Sequence, residues 1–456
     1  MPASLAGLLV GGWLLLVLVG GTASLAGHLL APAVRARQQR RHPERTAARQ
    51  HLRATRQLTS GWPLLSKTLR LGFVDAWTGE HRFPAARFAL DELGVNATVA
   101  AIPSAGLADY QQAAPYLADA WGCVTVRATQ EAPGLIRLRG LYHDPLLQPA
   151  RAELSLAPPA SLTGWQLGWA EDGAPVVVRV AEVSGMVVAS LSGFGKTMLV
   201  AHLLGQLAPS PAVQLALIDG KGGPDYHHLA PRAWLFAKDD LADVRDVLRR
   251  VHRLMLDRQA AIAQVLGVTD AWHRGPSPSW PLLLVVIDEA HTFFHERKGT
   301  APEVKAHNAV VAEVSRLVEE LIRKGRNVAI QVMLLTQRAT ADAIPTRIRD
   351  NCQVAICFAT RTVDGAVAAL GEEIRAHPDV SPVLLNDPAY VGVAVTSLPG
   401  RPGFHRVRTP QVDHHQVAGL VQATAGLRVD PTALLAEQVP PGLAAVPPVH
   451  GAGDAA

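Results

Sequence analysis

The second half of the chain alternates short apolar runs with longer segments whose apolar residues recur at helical spacing. Five runs have the character of strands buried on both faces of a parallel sheet: Gly185–Ala189, Val213–Ile218, Leu282–Ile287, Val328–Leu335 and Val354–Phe358. Helices are predicted over Met198–Leu207, from Asp239-Asp240 to Ile262, and over Glu303–Arg323. This alternation predicts an α/β domain, with a parallel sheet flanked by helices on both faces.

A smaller α/β pattern precedes this region. Ala105–Trp121 has helical periodicity, and Cys123–Arg127 and Leu135–Leu141 alternate as half-buried strands do. No catalytic constellation occurs here, so a docking or ring-spacing module is the neutral interpretation. The predicted organisation is a small α/β accessory domain at 61–150, a main domain at 151–410, and a short helix with a Pro/Gly/Ala-rich tail at 411–456.

The first 34 residues contain no Asp, Glu, Lys or Arg. Within them, Leu5–Gly27 is long enough, at ~1.5 Å per residue, to cross a hydrocarbon core of ~30 Å. No positive charge precedes this run, which disfavours the alternative of a cleaved signal peptide. Arginines cluster after it, so the positive-inside tendency places the C-terminal domains in the cytoplasm. The sequence therefore predicts a single-pass anchor in the cell membrane at 1–34 and a basic linker at 35–60 that contacts lipid headgroups.

Charge and cysteine content set two further limits. Ten Lys and Arg residues but only one acid lie between Arg35 and Arg70, which gives this segment a local charge of +9. The formal net charge of the whole chain is +4, so the rest of the chain is acidic on balance. The isoelectric point is therefore no argument for nucleic-acid binding. The cysteines Cys123, Cys352 and Cys357 match neither a metal-binding pair nor a disulfide framework, which favours a reducing compartment.

One glycine-containing stretch is a candidate phosphate site. A-S-L-S-G-F-G-K-T at 189–197 lies between a predicted strand and a predicted helix, so its backbone N–H groups and the helix N-terminus would face an anion. Lys196 would add a positive charge beside the phosphates, and the Thr197 hydroxyl would bind Mg²⁺. Ser190 stands where the motif G-x-x-x-x-G-K-[ST] has its first glycine, so hydrolysis is expected to be slow if the turn is strained there. A chance G-x-G-K-T turn is the alternative.

Polar residues also follow three other predicted strands, at Asp219, Asp288-Glu289 and Gln337. The carboxyl ends of parallel strands lie at one edge of the sheet, so these residues are expected to converge on the loop. Phosphoryl-transfer chemistry assigns Mg²⁺ binding to Asp288, general-base activation of water to Glu289, and sensing of the γ-phosphate to Gln337. The predicted ATP site comprises Ser190, Leu191, Ser192, Gly193, Phe194, Gly195, Lys196, Thr197 and Asp288, with Thr197 and Asp288 as Mg²⁺ ligands.

An arginine from a neighbouring subunit would complete the stabilisation of charge on the γ-phosphate. Arg347, Arg349 and Arg361 are the candidates, and each could equally be a solvated or ion-paired surface residue. We select Arg361 because it follows the last predicted core strand.

Three segments resemble the FtsK/SpoIIIE-type DNA translocases: V-V-A-S-L-S-G-F-G-K-T at 187–197, L-L-V-V-I-D-E at 283–289, and R-K-G-R-N-V-A-I-Q-V-M-L-L-T-Q-R at 323–338. The D-G-K-G-G stretch at 219–223 looks more like the plasmid-transfer Tra proteins of actinomycetes. The resemblance implies a RecA-like P-loop ATPase in a membrane-anchored, hexameric ring that pumps double-stranded DNA during conjugation, together with other conjugation proteins. With 46 residues after Pro410, we do not expect the winged-helix domain by which relatives recognise particular DNA repeats.

Three other classes of protein remain open. The first is a protein-export motor of the same fold, although such motors usually join several motor modules and this chain predicts one. The second is a helicase, suggested by the D-E-A-H string at 288–291, but the remaining strands of the first domain occupy the sequence after His291, which we interpret as an ordinary residue. The third is a membrane scaffold that binds ATP without hydrolysing it, which the two acids and Gln337 disfavour.

Overall fold

The computed structural model describes residues 51–223, 225–340 and 342–439, which form two compact units divided between Asp144 and Pro145. The predicted anchor at 1–34, the linker up to residue 50 and the tail from residue 440 lie outside the described residues. Within the described ranges, no helix has both the length and the apolar character needed to span a bilayer.

The first unit is a four-stranded antiparallel sheet with two helices packed on one face. Its elements are α1 (51–68), β1 (Phe73–Val74), β2 (His81–Arg82), β3 (Ala86–Leu90), β4 (Gly94–Ala100), α2 (Leu107–Trp121), β5 (Thr125–Ala132) and β6 (Leu135–Leu141). The strand order is β3-β4-β6-β5, and β1 and β2 form a separate hairpin. The predicted helix of this unit corresponds to α2, while the strand expected at Cys123–Arg127 begins two residues later.

The core of the first unit joins both helices to the sheet. Trp62 of α1 lies edge-on to Phe88 of β3, which lies edge-on to Trp121 of α2 (ring centroids 5.7 Å and 5.8 Å apart). The Trp62 indole N–H also donates to the Pro84 carbonyl (2.8 Å). The boundary predicted between residues 60 and 61 therefore falls inside a helix that contributes to this core.

The second unit is built on a ten-stranded mixed sheet. Its strands are β7 (Gly164–Ala170), β8 (Pro175–Arg179), β9 (Gly185–Ala189), β10 (Val213–Asp219), β11 (Ala233–Ala237), β12 (Leu282–Asp288), β13 (Ile330–Thr336), β14 (Val354–Cys357), β15 (Val393–Leu398) and β16 (Arg401–Arg408). Its helices are α3 (Lys196–Leu207), α4 (Leu241–Leu266), α5 (Pro302–Lys324), α6 (Thr346–Arg349), α7 (Val363–Leu370), α8 (His414–Ala423) and α9 (Pro431–Gln438).

The strand order is β11-β10-β12-β13-β9-β14-β15-β16-β7-β8. The six strands from β11 to β14 are parallel, as the sequence predicts, but β15, β16, β7 and β8 continue the sheet with antiparallel pairs. The predicted parallel sheet therefore corresponds to these six strands, and the four strands joined by antiparallel pairs were not expected from the sequence. Gly168 of β7 permits the join, because a Cβ there would collide with the Arg408 carbonyl of β16.

Strands β9, β10, β12 and β13 are buried along their whole length, which explains why their sequences are apolar apart from Gln214, Gln331 and the polar residues at their ends. A buried arginine closes the opposite end of this core. Arg258 of α4 is 1% exposed, donates to the carbonyls of Pro281 and Val328 (2.9 Å each), and lies over the Trp280 ring. Burial lowers the pKa of Arg258 to about 9.

Candidate nucleotide-binding site

The loop after β9 is tied to the strands on both sides of it. The Ser190 N–H donates to the Thr336 carbonyl at the end of β13 (3.1 Å), and the Leu191 N–H donates to the Ala359 carbonyl just beyond β14 (3.0 Å). Because β13 and β14 flank β9, these bonds hold the loop at the carboxyl edge of the sheet. Helix α3 begins directly afterwards, so its N-terminus faces the same edge.

Two glycines give the loop its shape. Gly193 (φ 84°) and Gly195 (φ 118°) have left-handed backbone angles, and a Cβ on Gly195 would come within 3.2 Å of the Gly392 Cα. Ser190, by contrast, is not among the described residues with positive φ. It is fully buried, and its hydroxyl donates to the Leu191 carbonyl (2.6 Å). The strained turn considered at Ser190 is therefore absent, and serine replaces the motif's first glycine without a left-handed conformation.

Lys196 is buried against the two acids that end β12. Its Nζ donates to Asp288 Oδ1 and to Glu289 Oε1 (2.7 Å for the second contact). All three side chains are nearly inaccessible, with exposed fractions of 4%, 1% and 5%. The structure thus brings together three of the residues predicted from sequence, but the lysine neutralises the acids instead of extending towards solvent.

The two acids differ in their affinity for a proton. Burial raises the pKa of Asp288 above its ordinary value, although Lys196 opposes this shift. Burial would also raise the pKa of Glu289, but hydrogen bonds from His291, Lys196 and the Gln337 backbone outweigh it and lower that pKa to about 2. Glu289 is therefore ionised at neutral pH, as a carboxylate that accepts a proton must be.

The second oxygen of Glu289 has its own donors. The Gln337 N–H donates to Glu289 Oε2 (3.1 Å), and His291 Nδ1 lies 3.4 Å from the same oxygen. His291 Nδ1 also lies 3.3 Å from the Thr336 hydroxyl. Glu289 itself has a left-handed backbone (φ 46°), which is unusual for a residue other than glycine. Sequence reasoning missed this role of His291, because the helical turn that aims it at Glu289 leaves no pattern in the sequence.

The strand order explains why Gln337 reaches Glu289. Strand β13 lies between β9 and β12, so its end lies between the phosphate loop and the acids. The contact that the structure records is made by the Gln337 backbone, and the side chain is half-buried. The predicted role of that side chain in sensing a γ-phosphate stays a prediction.

Asp219 ends the strand on the other side of β12 and pairs in register with Asp288. Its Oδ1 accepts from the Lys221 N–H (3.1 Å), whereas its buried Oδ2 has no hydrogen-bond partner among the described residues. Burial raises the pKa of Asp219. An orphaned buried oxygen beside Asp288 indicates a site that a ligand or its water completes.

The donor set at this edge fits Mg²⁺. Within the described residues, no group of three or more His, Cys, Asp or Glu side chains could hold a metal ion. Mg²⁺ does not need such a group, because it usually takes one or two protein oxygens together with waters and phosphate oxygens. Asp288 and the half-buried Thr197, which follows Lys196 on the first turn of α3, would supply those oxygens.

The three candidate arginines have different surroundings. Arg347 pairs with Glu319 (Nε to Oε2, 3.1 Å), and Arg349 pairs with Asp350 (3.1 Å). Arg361 is exposed and makes no ion pair with any residue in the described part of the chain. It follows the segment beyond β14 that holds the phosphate loop, so it lies at the carboxyl edge of the sheet. Its action on a neighbouring subunit stays a prediction.

A glycine-shaped loop, a lysine at a helix N-terminus and two acids at the end of β12, which is separated from β9 by β13, are typical of a P-loop nucleotide site. No family model matches the sequence. Among solved structures, the chain is similar to the conjugation coupling protein TcpA of pCW3, solved as a monomer with ATPγS. That match has a TM-score of 0.52 and 14% sequence identity, and it covers 84% of this chain and 100% of the TcpA chain.

Two secretion ATPases are similar over less of the chain. The cytoplasmic domain of the type VII secretion ATPase EccC from Thermomonospora curvata matches with a TM-score of 0.43 and 19% identity, over 59% of this chain and 32% of that one. ATPases 2 and 3 of EssC from Geobacillus thermodenitrificans match with a TM-score of 0.44 and 16% identity, over 61% and 51%. The TcpA match confirms, at the level of the fold, the resemblance expected from the sequence.

Proposed function

We propose that this protein is a membrane-anchored ATPase that uses ATP hydrolysis to move double-stranded DNA during conjugative plasmid transfer. The observation that carries the ATPase activity is the buried contact of Lys196 with Asp288 and Glu289. A lysine at the start of the loop helix and two acids at the end of the parallel strand β12 are the groups that phosphoryl transfer requires at one place.

The geometry supports a mechanism in which phosphate binding releases the general base. Phosphate oxygens in the loop draw Lys196 away from the acids, so Glu289 Oε1 loses its donor. The Gln337 N–H and His291 continue to hold Oε2 and thereby orient the carboxylate. Oε1 can then accept a proton from the attacking water. Mg²⁺ bound by Thr197 and Asp288 would neutralise charge on the phosphates.

The proposed DNA substrate, membrane location and role in conjugation rest on different observations. The apolar segment Leu5–Gly27 and the arginines after it support a membrane anchor with the ATPase on the cytoplasmic side. The motifs shared with FtsK/SpoIIIE-type translocases support duplex DNA and a hexameric ring. The likeness to the coupling protein TcpA supports a place in conjugation, beside other conjugation proteins. Arg361 would complete the site of the neighbouring subunit in such a ring.

The test is ATP turnover by the full chain in detergent, measured alone, with duplex DNA and with single-stranded DNA. Lys196→Ala and Glu289→Gln serve as inactive controls. Strong stimulation by duplex DNA that both variants abolish is the expected result. Turnover that ignores DNA would contradict a DNA motor and favour a protein-export motor, while ATP binding without turnover would favour a scaffold.

A further inference from the structure

One face of the sheet in the first unit is covered and the other is open. Alternate residues of each strand point to opposite faces. The row Phe88–Ala97–Leu138–Ala128 is buried beneath α1 and α2. No described element of this unit packs against the opposite face.

The open face carries an arginine on three of its four strands. One row across the sheet is Arg87–Thr98–Arg137–Thr129, and the next places Arg139 beside Arg127. Strand spacing puts the Cα atoms of Arg87 and Arg137 about 10 Å apart, and Arg139 follows Arg137 about 7 Å along its strand. The face thus combines four arginines with hydroxyl groups, of which the Thr98 hydroxyl donates to Glu131 Oε2 (3.2 Å).

Two of these arginines lack a counter-ion. Arg139 forms a two-pronged pair with Asp91 (2.8 Å and 3.0 Å). Arg87 and Arg137 are exposed and make no ion pair with any residue that the structure describes. The exposed acids of α2, Asp109 and Asp119, belong to the helix on the covered side. On the open face, Asp91 and Glu131 offset part of the positive charge, so Arg87 and Arg137 carry the unpaired part of it within the described residues.

We infer that the open face of this sheet, defined by Arg87, Arg127, Arg137 and Arg139 with Thr129, binds the phosphate backbone of duplex DNA. Duplex DNA carries one negative charge per ~1.7 Å of its axis, so arginines spaced by ~7–10 Å meet phosphates without a required base sequence. Side-chain hydroxyl groups donate to phosphate oxygens as well. The inference rests on the proposed DNA motor and gives the first unit a task in it.

The composition of the face distinguishes DNA from a lipid surface. Surfaces that insert into membranes combine basic residues with exposed aromatic or large apolar groups. No aromatic side chain lies in the two arginine rows. The exposed aromatic residues described in this unit belong to the β1–β2 hairpin, the segment after β2, α2 and the segment after β6 (Phe73, Trp77, Phe83, Tyr116 and Tyr142). Leu135, at the start of β6 on the same face, is 38% exposed, but a face that is otherwise largely polar and cationic fits a nucleic-acid backbone better.

The experiment measures binding of the full chain to a fluorescein-labelled 30-base-pair duplex, without nucleotide, between 50 and 200 mM salt. The variant is Arg87→Gln with Arg137→Gln. The matched control is Arg401→Gln with Arg428→Gln, which removes two exposed arginines of the second unit that also lack ion pairs among the described residues. Light scattering, binding to vesicles containing phosphatidylserine, and basal ATP turnover are measured on the same samples.

If the inference is correct, the variant shows a salt dependence shallower by about two phosphate contacts. The affinity ratio between 50 and 200 mM salt then shrinks about tenfold, whereas the control and basal turnover stay at the wild-type level. Equal DNA affinity in variant and control, with turnover still stimulated by DNA, would overturn this surface while leaving the proposed motor intact. Loss of oligomer mass or of vesicle binding without loss of DNA affinity would also overturn it. A wild type that neither binds DNA nor responds to it would refute both proposals.

Discussion

Replacing Lys196 with methionine tests the buried contact at the centre of the site. The substitution keeps the length of the side chain but leaves Asp288 and Glu289 as two buried carboxylates without their cation. Removing one partner of a buried ion pair costs about 3–5 kcal/mol. Protonation of one acid limits that cost, because neutralising a carboxylate with a pKa near 4.3 at pH 7.5 takes about 4 kcal/mol. We therefore expect the free energy of unfolding to fall by about 3–4 kcal/mol.

The loss should depend on pH in a defined direction. In the variant, the pKa of one buried acid lies above its unfolded value, so the folded state binds more protons and its stability rises as the pH falls. The difference from the wild type should shrink to about 1 kcal/mol at pH 5. Denaturant-dependent hydrogen exchange of peptides from β12 measures the second unit alone at both pH values.

A neighbouring lysine provides the control for this measurement. Lys221 pairs with Asp225 at 3.4 Å, but it is 47% exposed, so Lys221→Met should change stability by no more than about 0.5 kcal/mol. Adding Asp288→Asn to the Lys196 variant should recover part of the loss, because one buried carboxylate then remains. Wild-type stability in the Lys196 variant, or a deficit equal at pH 7.5 and pH 5, would refute the reasoning.

Five further substitutions test other parts of the structure. Ser190→Gly should keep ATP turnover within about threefold of the wild type, whereas Gly195→Ala, at φ 118°, should abolish it; similar turnover in both would contradict the loop geometry. Arg258→Ala should lower the free energy of urea unfolding by about 3 kcal/mol, because two buried carbonyls lose their donor and a cavity forms. Glu289→Gln should weaken the dependence of the free energy of unfolding on pH below pH 4.5. The ionised Glu289 carboxylate stabilises the wild type above pH 4.5, and this contribution is lost as the pH falls towards about 2. The same pH dependence in the variant and the wild type would contradict this. Arg361→Ala should bind nucleotide without turning it over, and mixing it with subunits inactive in the P-loop should restore activity if the arginine acts across a subunit boundary; no restoration would contradict that role.

The central strands and the loop were predictable because burial on both faces leaves a plain signature. Gly185–Ala189 and Leu282–Ile287 can be almost wholly apolar only if no face meets water, and the observed strands match the first range and extend the second by one residue. Their polar ends could then be placed at one edge of the sheet without knowing the strand order. The convergence of Lys196 with Asp288 and Glu289 is the part of the site that followed from this argument.

Other features depend on contacts that sequence spacing does not encode. The strand expected from Val328 begins at Ile330, because Ala329 has a left-handed backbone (φ 59°) that an apolar run does not reveal. Strand β15 was not predicted because Thr396 and Ser397 interrupt its apolar sequence. The contact of His291 with Glu289 depends on one short helical turn, and the pairing of Lys196 depends on which strand lies between β9 and β12.

The pairing of β7 with β16 has a consequence for how the protein is made. More than two hundred residues separate Ala170 from its partner Val407. At a synthesis rate of ~5–20 residues per second, roughly 10 to 50 s pass between the synthesis of β7 and that of β16. During that time the β7–β8 hairpin has an unpaired edge that can recruit other chains. We therefore expect the β7 edge to need protection from aggregation until β16 is synthesised. A chain truncated before β16 would keep this unpaired edge permanently.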